Sequence, residues 1–137
     1  FQPSGRILEP SCGDGVFMKY LPAHAEWCEI ERGRDFFAWQ EPVDWCFGNP
    51  PYSLFSEFLD HSMAVSSDIC YLIPANKAFN SYSMIDRVMD WGGIKSIRVY
   101  GTGAKLKFPI GYAIAAVHYK RDYTGATMIT MYKGANQ

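Results

Sequence analysis

The chain has 137 residues, 48% of them apolar and 16% aromatic, with a formal net charge of −1. That composition excludes a disordered segment and predicts one globular domain, 1–137, with a real core. No apolar run approaches the ~20 residues of a membrane span, and no secretory leader is legible.

In chain order, Arg6–Glu9 (RILE) reads as a short buried strand running into Pro10. "PSCGDG" is a tight turn, and Val16–Leu21 begins a helix. Glu26–Ile30 (EWCEI) is a second strand, and Asp35–Trp39 (DFFAW) is a third short apolar piece. Val43–Phe47 is the next strand, and it leaves through Asn49, two prolines and Tyr52. Ser53 is placed to cap a helix from Leu54 to about Val65, with Phe55, Phe58, Leu59 and Met63 on one face. Ile69–Ile73 (ICYLI) is a strand ended by Pro74. Ser83–Trp91 is a helix ended by Gly92 and Gly93. Ile97–Tyr100, Tyr112–Tyr119 and Thr127–Tyr132 are strands, the last two expected to pair as a hairpin around a Tyr-Thr-Gly turn. Strands alternating with helices imply an α/β fold: a mostly parallel, doubly wound sheet with an antiparallel C-terminal hairpin.

Cys12, Cys28, Cys46 and Cys70 are widely spaced and lack the C-x-x-C pair of a zinc site. The expectation is a reduced, cytoplasmic protein with no metal. Because the chain opens at Phe1 and not at Met, an N-terminal piece is expected to precede it. The small net charge hides an asymmetry. Residues 1–60 carry ten acids and four bases, whereas residues 61–137 carry four acids and nine bases. Lys95, Arg98, Lys105 and Lys107 form a run with no acid between them. Singly these are ordinary solvated charges. Together they suit a phosphate backbone.

Two stretches carry chemistry. "LEPSCGDGVF" (8–17) joins a strand, a glycine-bearing turn and a helix start. In a doubly wound sheet that turn lies at the carboxyl end of the first strand, where glycines let a ligand approach the backbone. It is neither G-x-G-x-x-G nor a P-loop. The acids around it would repel pyrophosphate and suit a cofactor with hydroxyls, amines and a positive charge, such as S-adenosylmethionine. Glu29, ending the second strand, is placed for a ribose diol. Asp35 is placed for an adenine amine, and the Phe36 N–H for a ring nitrogen. Either acid alone also fits a solvated surface carboxylate.

The second stretch is "DWCFGNPPYSLF" (44–55). Adjacent prolines remove two backbone donors, fix φ twice and extend the residue before each. The stiff result holds one amide side chain, one carbonyl and one aromatic face in fixed relation. It fits a strand exit or a grip on a planar polar group.

"LEPSCGDGVF", "CEI", "DFFAWQEP" and "VDWCFGNPPYS", in that order, resemble the successive motifs of the N6-adenine DNA methyltransferases of the gamma class. "FPIGYAIAAVHYKR" (108–121) resembles that family's last catalytic motif. The resemblance implies a Rossmann-like fold and S-adenosylmethionine as cofactor, with Glu9, Pro10, Ser11 and Gly13 at its methionine end and Glu29, Ile30, Asp35 and Phe36 at its adenosine. It implies that Asn49, which also borders the cofactor, and the Pro50 carbonyl accept from the N6 amine. Tyr52 and Phe108 would stack on an adenine flipped out of DNA. For Phe108, a core position at a strand start is the competing reading. Lys95, Arg98, Lys105 and Lys107 would then hold the nucleic acid.

The pattern also departs from the family. Only "ERGR" separates Ile30 from Asp35, where the family has a helix. The family's cofactor-clamping helix would precede Phe1. Only about 16 residues follow position 121, enough for one strand and a turn. The expectation is a compact enzyme of phage or mobile-element type, or a core whose sequence choice comes from a separate domain or subunit. Enzymes methylating RNA adenine or guanine, or protein glutamine, share a similar Asn/Asp-Pro-Pro-aromatic motif and remain alternatives. A non-catalytic DNA-binding subunit with the same fold is another.

Overall fold

A computed structural model describes residues 2–13, 15, 17–102 and 113–132. The chain forms two compact units, Phe1–Tyr71 and Leu72–Gln137.

In the first unit, β1 (Ile7–Glu9) lies between β2 (Glu26–Trp27) and β3 (Val43–Gly48), and β4 (Ser66–Pro74) begins beside β3. Every one of these pairings is parallel. Ile7, Leu8, Cys46 and Ile69 are fully buried. Their near-continuous apolar runs are those of strands covered on both faces. α1 (Phe55–Val65) buries Phe55, Phe58, Leu59 and Met63, the face its spacing predicts. Ser53 does not cap it. The chain enters through a 3-10 turn, Tyr52–Leu54, in which the Pro51 carbonyl takes the Leu54 N–H at 3.1 Å. Ser53 therefore lies inside that turn. The helix expected from Val16 is a 3-10 turn, Phe17–Tyr20. The second strand is only two residues long, and Ile30 begins another 3-10 turn, Ile30–Arg32, closed by Gly33 at φ 77°. The short "ERGR" leaves no room for a helix there.

In the second unit, α2 (Tyr82–Trp91) is capped by Ser81, whose Oγ accepts the Met84 N–H at 3.3 Å. It runs without a loop into β5 (Gly92–Thr102). A Cβ on Gly92 would lie 2.1 Å from the Lys120 carbonyl oxygen, so only glycine fits that junction.

The expected pairing of the last two strands is corrected here. β6 (Ala113–Arg121) pairs antiparallel with β5, from Gly92↔Arg121 to Thr102↔Ala113. β7 (Met128–Met131) pairs parallel with β5 on the opposite side, from Ser96↔Met128 to Val99↔Met131. The connection turns at Asp122 (φ 59°) and crosses the start of β5, where Tyr123 O would lie 2.9 Å from a Cβ on Gly93. Thr127 Oγ1 then donates to Ile94 O at 2.7 Å. The glycine pair makes that crossing possible and carries the chain from β6 across β5 to β7.

All four cysteines are free and buried. Among the described residues, no helix is long and apolar enough to cross a membrane. Leu59 is fully buried on α1. Leu59→Ala should cost about 2–5 kcal/mol, the range for a core leucine left as a cavity. Urea unfolding should show a lower midpoint at unchanged slope.

Candidate functional site

β1 and β3 are parallel neighbours in the register Ile7↔Trp45 and Leu8↔Cys46. Their carboxyl ends, Glu9 and Gly48–Asn49, therefore open on the same edge, where α/β sheets bind ligands. The turn after β1 is clamped by backbone bonds: Cys28 N–H to Glu9 O at 2.8 Å, and Cys12 N–H to Cys28 O at 2.9 Å.

Glu9 is 1% exposed. Its Oε1 accepts the Ser11 N–H at 3.0 Å, while Oε2 has no hydrogen-bond partner. A Cβ on Gly48 would stand 2.2 Å from both carboxyl oxygens. The missing side chain of Gly48 is thus the space that the Glu9 carboxyl occupies. Burial pushes this carboxyl up to about 8, opposed by the Ser11 N–H and reinforced by the Glu29 charge. At neutral pH it is largely protonated. Burial likewise pushes the nearby Cys46 thiol up to about 12 and the Tyr71 hydroxyl well above its usual range.

Ser11 joins the two loops. Its Oγ donates to the Asn49 backbone carbonyl at 3.3 Å, across 38 residues of sequence. The Asn49 side-chain oxygen is buried without a hydrogen-bond partner, as is the Tyr52 hydroxyl. Burial raises the Tyr52 hydroxyl above its usual range. The nearby Asn49 side chain opposes that rise. Pro50 is buried, and Pro51 (φ −58°) leads into the 3-10 turn. A buried amide oxygen without a donor is uncommon and costs roughly 1–3 kcal/mol.

Glu29 does not end a regular strand. It caps the Ile30–Arg32 turn, with Oε2 accepting the Glu31 N–H at 3.2 Å and Oε1 the Gly13 N–H at 2.9 Å. It thereby ties the two cofactor-motif loops together, and each oxygen keeps a further lone pair. Ile30 beside it is 69% exposed. Asp35 is exposed and caps the Phe36–Ala38 turn, with Oδ1 taking the Phe37 N–H at 3.0 Å. The Phe36 ring is a core group, stacked on Phe58 at 5.3 Å and edge-on to His61 at 4.7 Å. Its N–H belongs to the first turn, whose donors have no partner within the turn. Glu26, Cys28, Arg34, Asp35 and Trp39 line a cavity of about 370 Å³ beside this segment.

Lys95 and Arg98 are exposed on β5 of the second unit. Lys105, Lys107 and Phe108 lie outside the described residues. Sequence reasoning missed two features of this site. One is the space Gly48 leaves for Glu9, signalled only by a glycine next to Asn49. The other is the Ser11 bridge, which nothing local signals.

No protein-family model matches the chain, and no curated protein matches it in sequence. Solved structures do. A candidate class I S-adenosylmethionine-dependent methyltransferase from Listeria monocytogenes matches over 95% of this chain and 59% of its own, at 13% identity and a TM-score of 0.66. A modification subunit of a candidate type I restriction enzyme from Vibrio vulnificus matches over 100% and 45%, at 12% identity and 0.62. A dimethyladenosine transferase from Plasmodium falciparum matches over 89% and 57%, at 13% identity and 0.60. The chain thus spans roughly half the length of these structures. Its fold is the α/β, Rossmann-like fold of the class I methyltransferases.

Proposed function

We propose that this chain transfers a methyl group from S-adenosylmethionine to the N6 amine of adenine in DNA. The observation that carries the reading is the Asn49 side-chain oxygen, buried and without a partner, at the exit of β3 before two prolines.

The residues of the first unit fit the cofactor. Glu9 offers a buried carboxyl with an unpartnered oxygen, to which a cationic ammonium would restore the charge. Glu29 has lone pairs left for a ribose diol. Asp35 has its second oxygen for an adenine amine, and Phe36 its backbone N–H for a ring nitrogen. Pro10, Ser11, Gly13 and Ile30 border the same loops. When bound, S-adenosylmethionine supplies an electrophilic methyl on a sulfonium.

The chain's task is then to make a poor nucleophile attack. The lone pair of an adenine amine is delocalised into its ring. Asn49 Oδ1 and the Pro50 carbonyl would each accept one amine hydrogen, favouring a pyramidal nitrogen with a localised lone pair. The N–C bond forms as the S–C bond breaks, and the extra proton leaves the nitrogen afterwards, so no general base is needed before attack. Rate comes from positioning and fixed dipoles. The Ser11 hydroxyl on the Asn49 carbonyl and the two proline rings keep the acceptors from relaxing. Tyr52 would stack on the flipped base, with Phe108 as its counterpart. Sequence choice would belong to a separate domain or subunit. Methylation of RNA adenine is the second reading, favoured by the likeness to a dimethyladenosine transferase.

Asn49→Ala should abolish methyl transfer to oligonucleotides while leaving S-adenosylmethionine affinity within a few-fold by calorimetry. Joint loss of binding and transfer would sink the assigned role. DNA, RNA and glutamine-peptide substrates assayed in parallel decide the acceptor, and transfer only to the peptide would overturn the reading.

Glu9 makes a pH-dependent prediction. Its carboxyl rises on folding to about 8, so its contribution is full below the unfolded value of about 4.5 and is lost as pH rises through 8. Glu9→Gln should remove that loss. The variant's melting temperature relative to wild type should climb between pH 5 and 8.5, and a flat difference would mean Glu9 is ionised in the folded protein.

A further inference from the structure

We propose that Arg98, Tyr100 and Tyr132 form a stacking platform for unpaired bases of single-stranded nucleic acid. The proposal rests on the methyltransferase reading for its biological sense, but its evidence is separate and lies within the second unit.

Tyr132 follows β7 and is held against β5 by its N–H to Val99 O at 2.8 Å. The Arg98 guanidinium lies 5.1 Å from the Tyr132 ring centroid and 5.9 Å from that of Tyr100. The two tyrosine rings are 5.2 Å apart and inclined at 60°. Arg98 is exposed, and Tyr132 is 44% exposed. Beside them Met128 is 66% exposed. The β5–β6 register shifts between Val99 and Gly101, so Tyr100 is the extra residue of a bulge. Bulges re-aim side chains at functional edges.

Three properties of this patch select its ligand. Aromatic faces and a guanidinium plane suit planar groups, and every base has a π-face. The sequence that carries the patch is cationic: from Gly92 to the end of the chain it has one acid, Asp122, against seven lysines and arginines. Charge complementarity therefore points to a polyanion. In a duplex the base faces are stacked on one another, so a sheet surface reaches them only in a single strand or an unpaired loop. An acidic peptide would satisfy Arg98 but offer the rings nothing planar.

The test is fluorescence anisotropy of the full chain, without cofactor, against a labelled 12-nucleotide single strand, its duplex and an acidic peptide of equal charge, across salt concentrations. The single strand should bind tightest. Tyr100→Leu and Tyr132→Leu should each weaken it roughly 5- to 150-fold with the salt slope intact. Arg98→Gln should flatten the slope by roughly 0.7. Tyr100→Phe and Tyr132→Phe should bind as wild type, which separates lost stacking from lost fold. Leucine variants that bind like wild type, a duplex or peptide that binds as tightly as the strand, or phenylalanine variants as weak as the leucine ones would each overturn the proposal. If the wild type binds single strands in this pattern yet methylates nothing, the platform stands and the methyltransferase reading falls.

Discussion

The Glu9 carboxyl, seated where Gly48 has no side chain, is the contact on which the candidate site depends. It fills the join between the carboxyl ends of β1 and β3. From there, one oxygen holds the Ser11 N–H, and the Ser11 hydroxyl holds the Asn49 carbonyl. A chain of three groups thus sets the Asn-Pro-Pro-Tyr loop against the glycine-bearing turn. A side chain at Gly48 would push the carboxyl out and loosen both loops together.

Burying a carboxyl there is costly, and the protein limits the cost by keeping the group protonated. Burial likewise raises the Cys46 thiol and Tyr71 hydroxyl beside it above their ordinary ranges. Ser62 takes up part of this polar burden, with its Oγ donating to Phe58 O at 2.6 Å and lying 2.5 Å from the Tyr71 hydroxyl. Among the described residues, three of the five buried side-chain polar atoms without a partner are Glu9 Oε2, Asn49 Oδ1 and Tyr52 OH; the other two are Trp91 Nε1 and Tyr119 OH. Groups left unpaired in this way reduce stability, and a ligand's hydrogen bonds would relieve that cost.

Charge divides along the chain as the proposed function would require. The acids concentrate in the first sixty residues, around the loops assigned to a cationic cofactor. The bases concentrate after Gly92, where the partner proposed is a polyanion. In the first unit Arg6 is matched locally, donating to Glu26 at 2.7 Å and to Glu41 at 2.6 Å. Arg34 lies over the Trp27 ring, 4.0 Å from its centroid. Both cations are engaged within their own unit.

The sequence by itself determined the α/β class, the buried face of α1, a helix expected over Ser83–Trp91 and found over Tyr82–Trp91, and the two motif loops. Each follows from signals a few residues long: apolar spacing, a glycine pair, a proline pair. It misjudged Ser53 and the Val16 turn because α and 3-10 starts share the same local residues, and tertiary packing chooses between them. The strand after Glu26 stopped at two residues because Glu29 was needed as a cap. Only the tertiary structure decided that β7 lies beside β5, since pairing partners are set by the path of the crossing over Gly92 and Gly93. Only it placed Glu9 behind Gly48 and Ser11 under Asn49. Those contacts join residues 38 or more positions apart, and no local pattern encodes a distance of that kind.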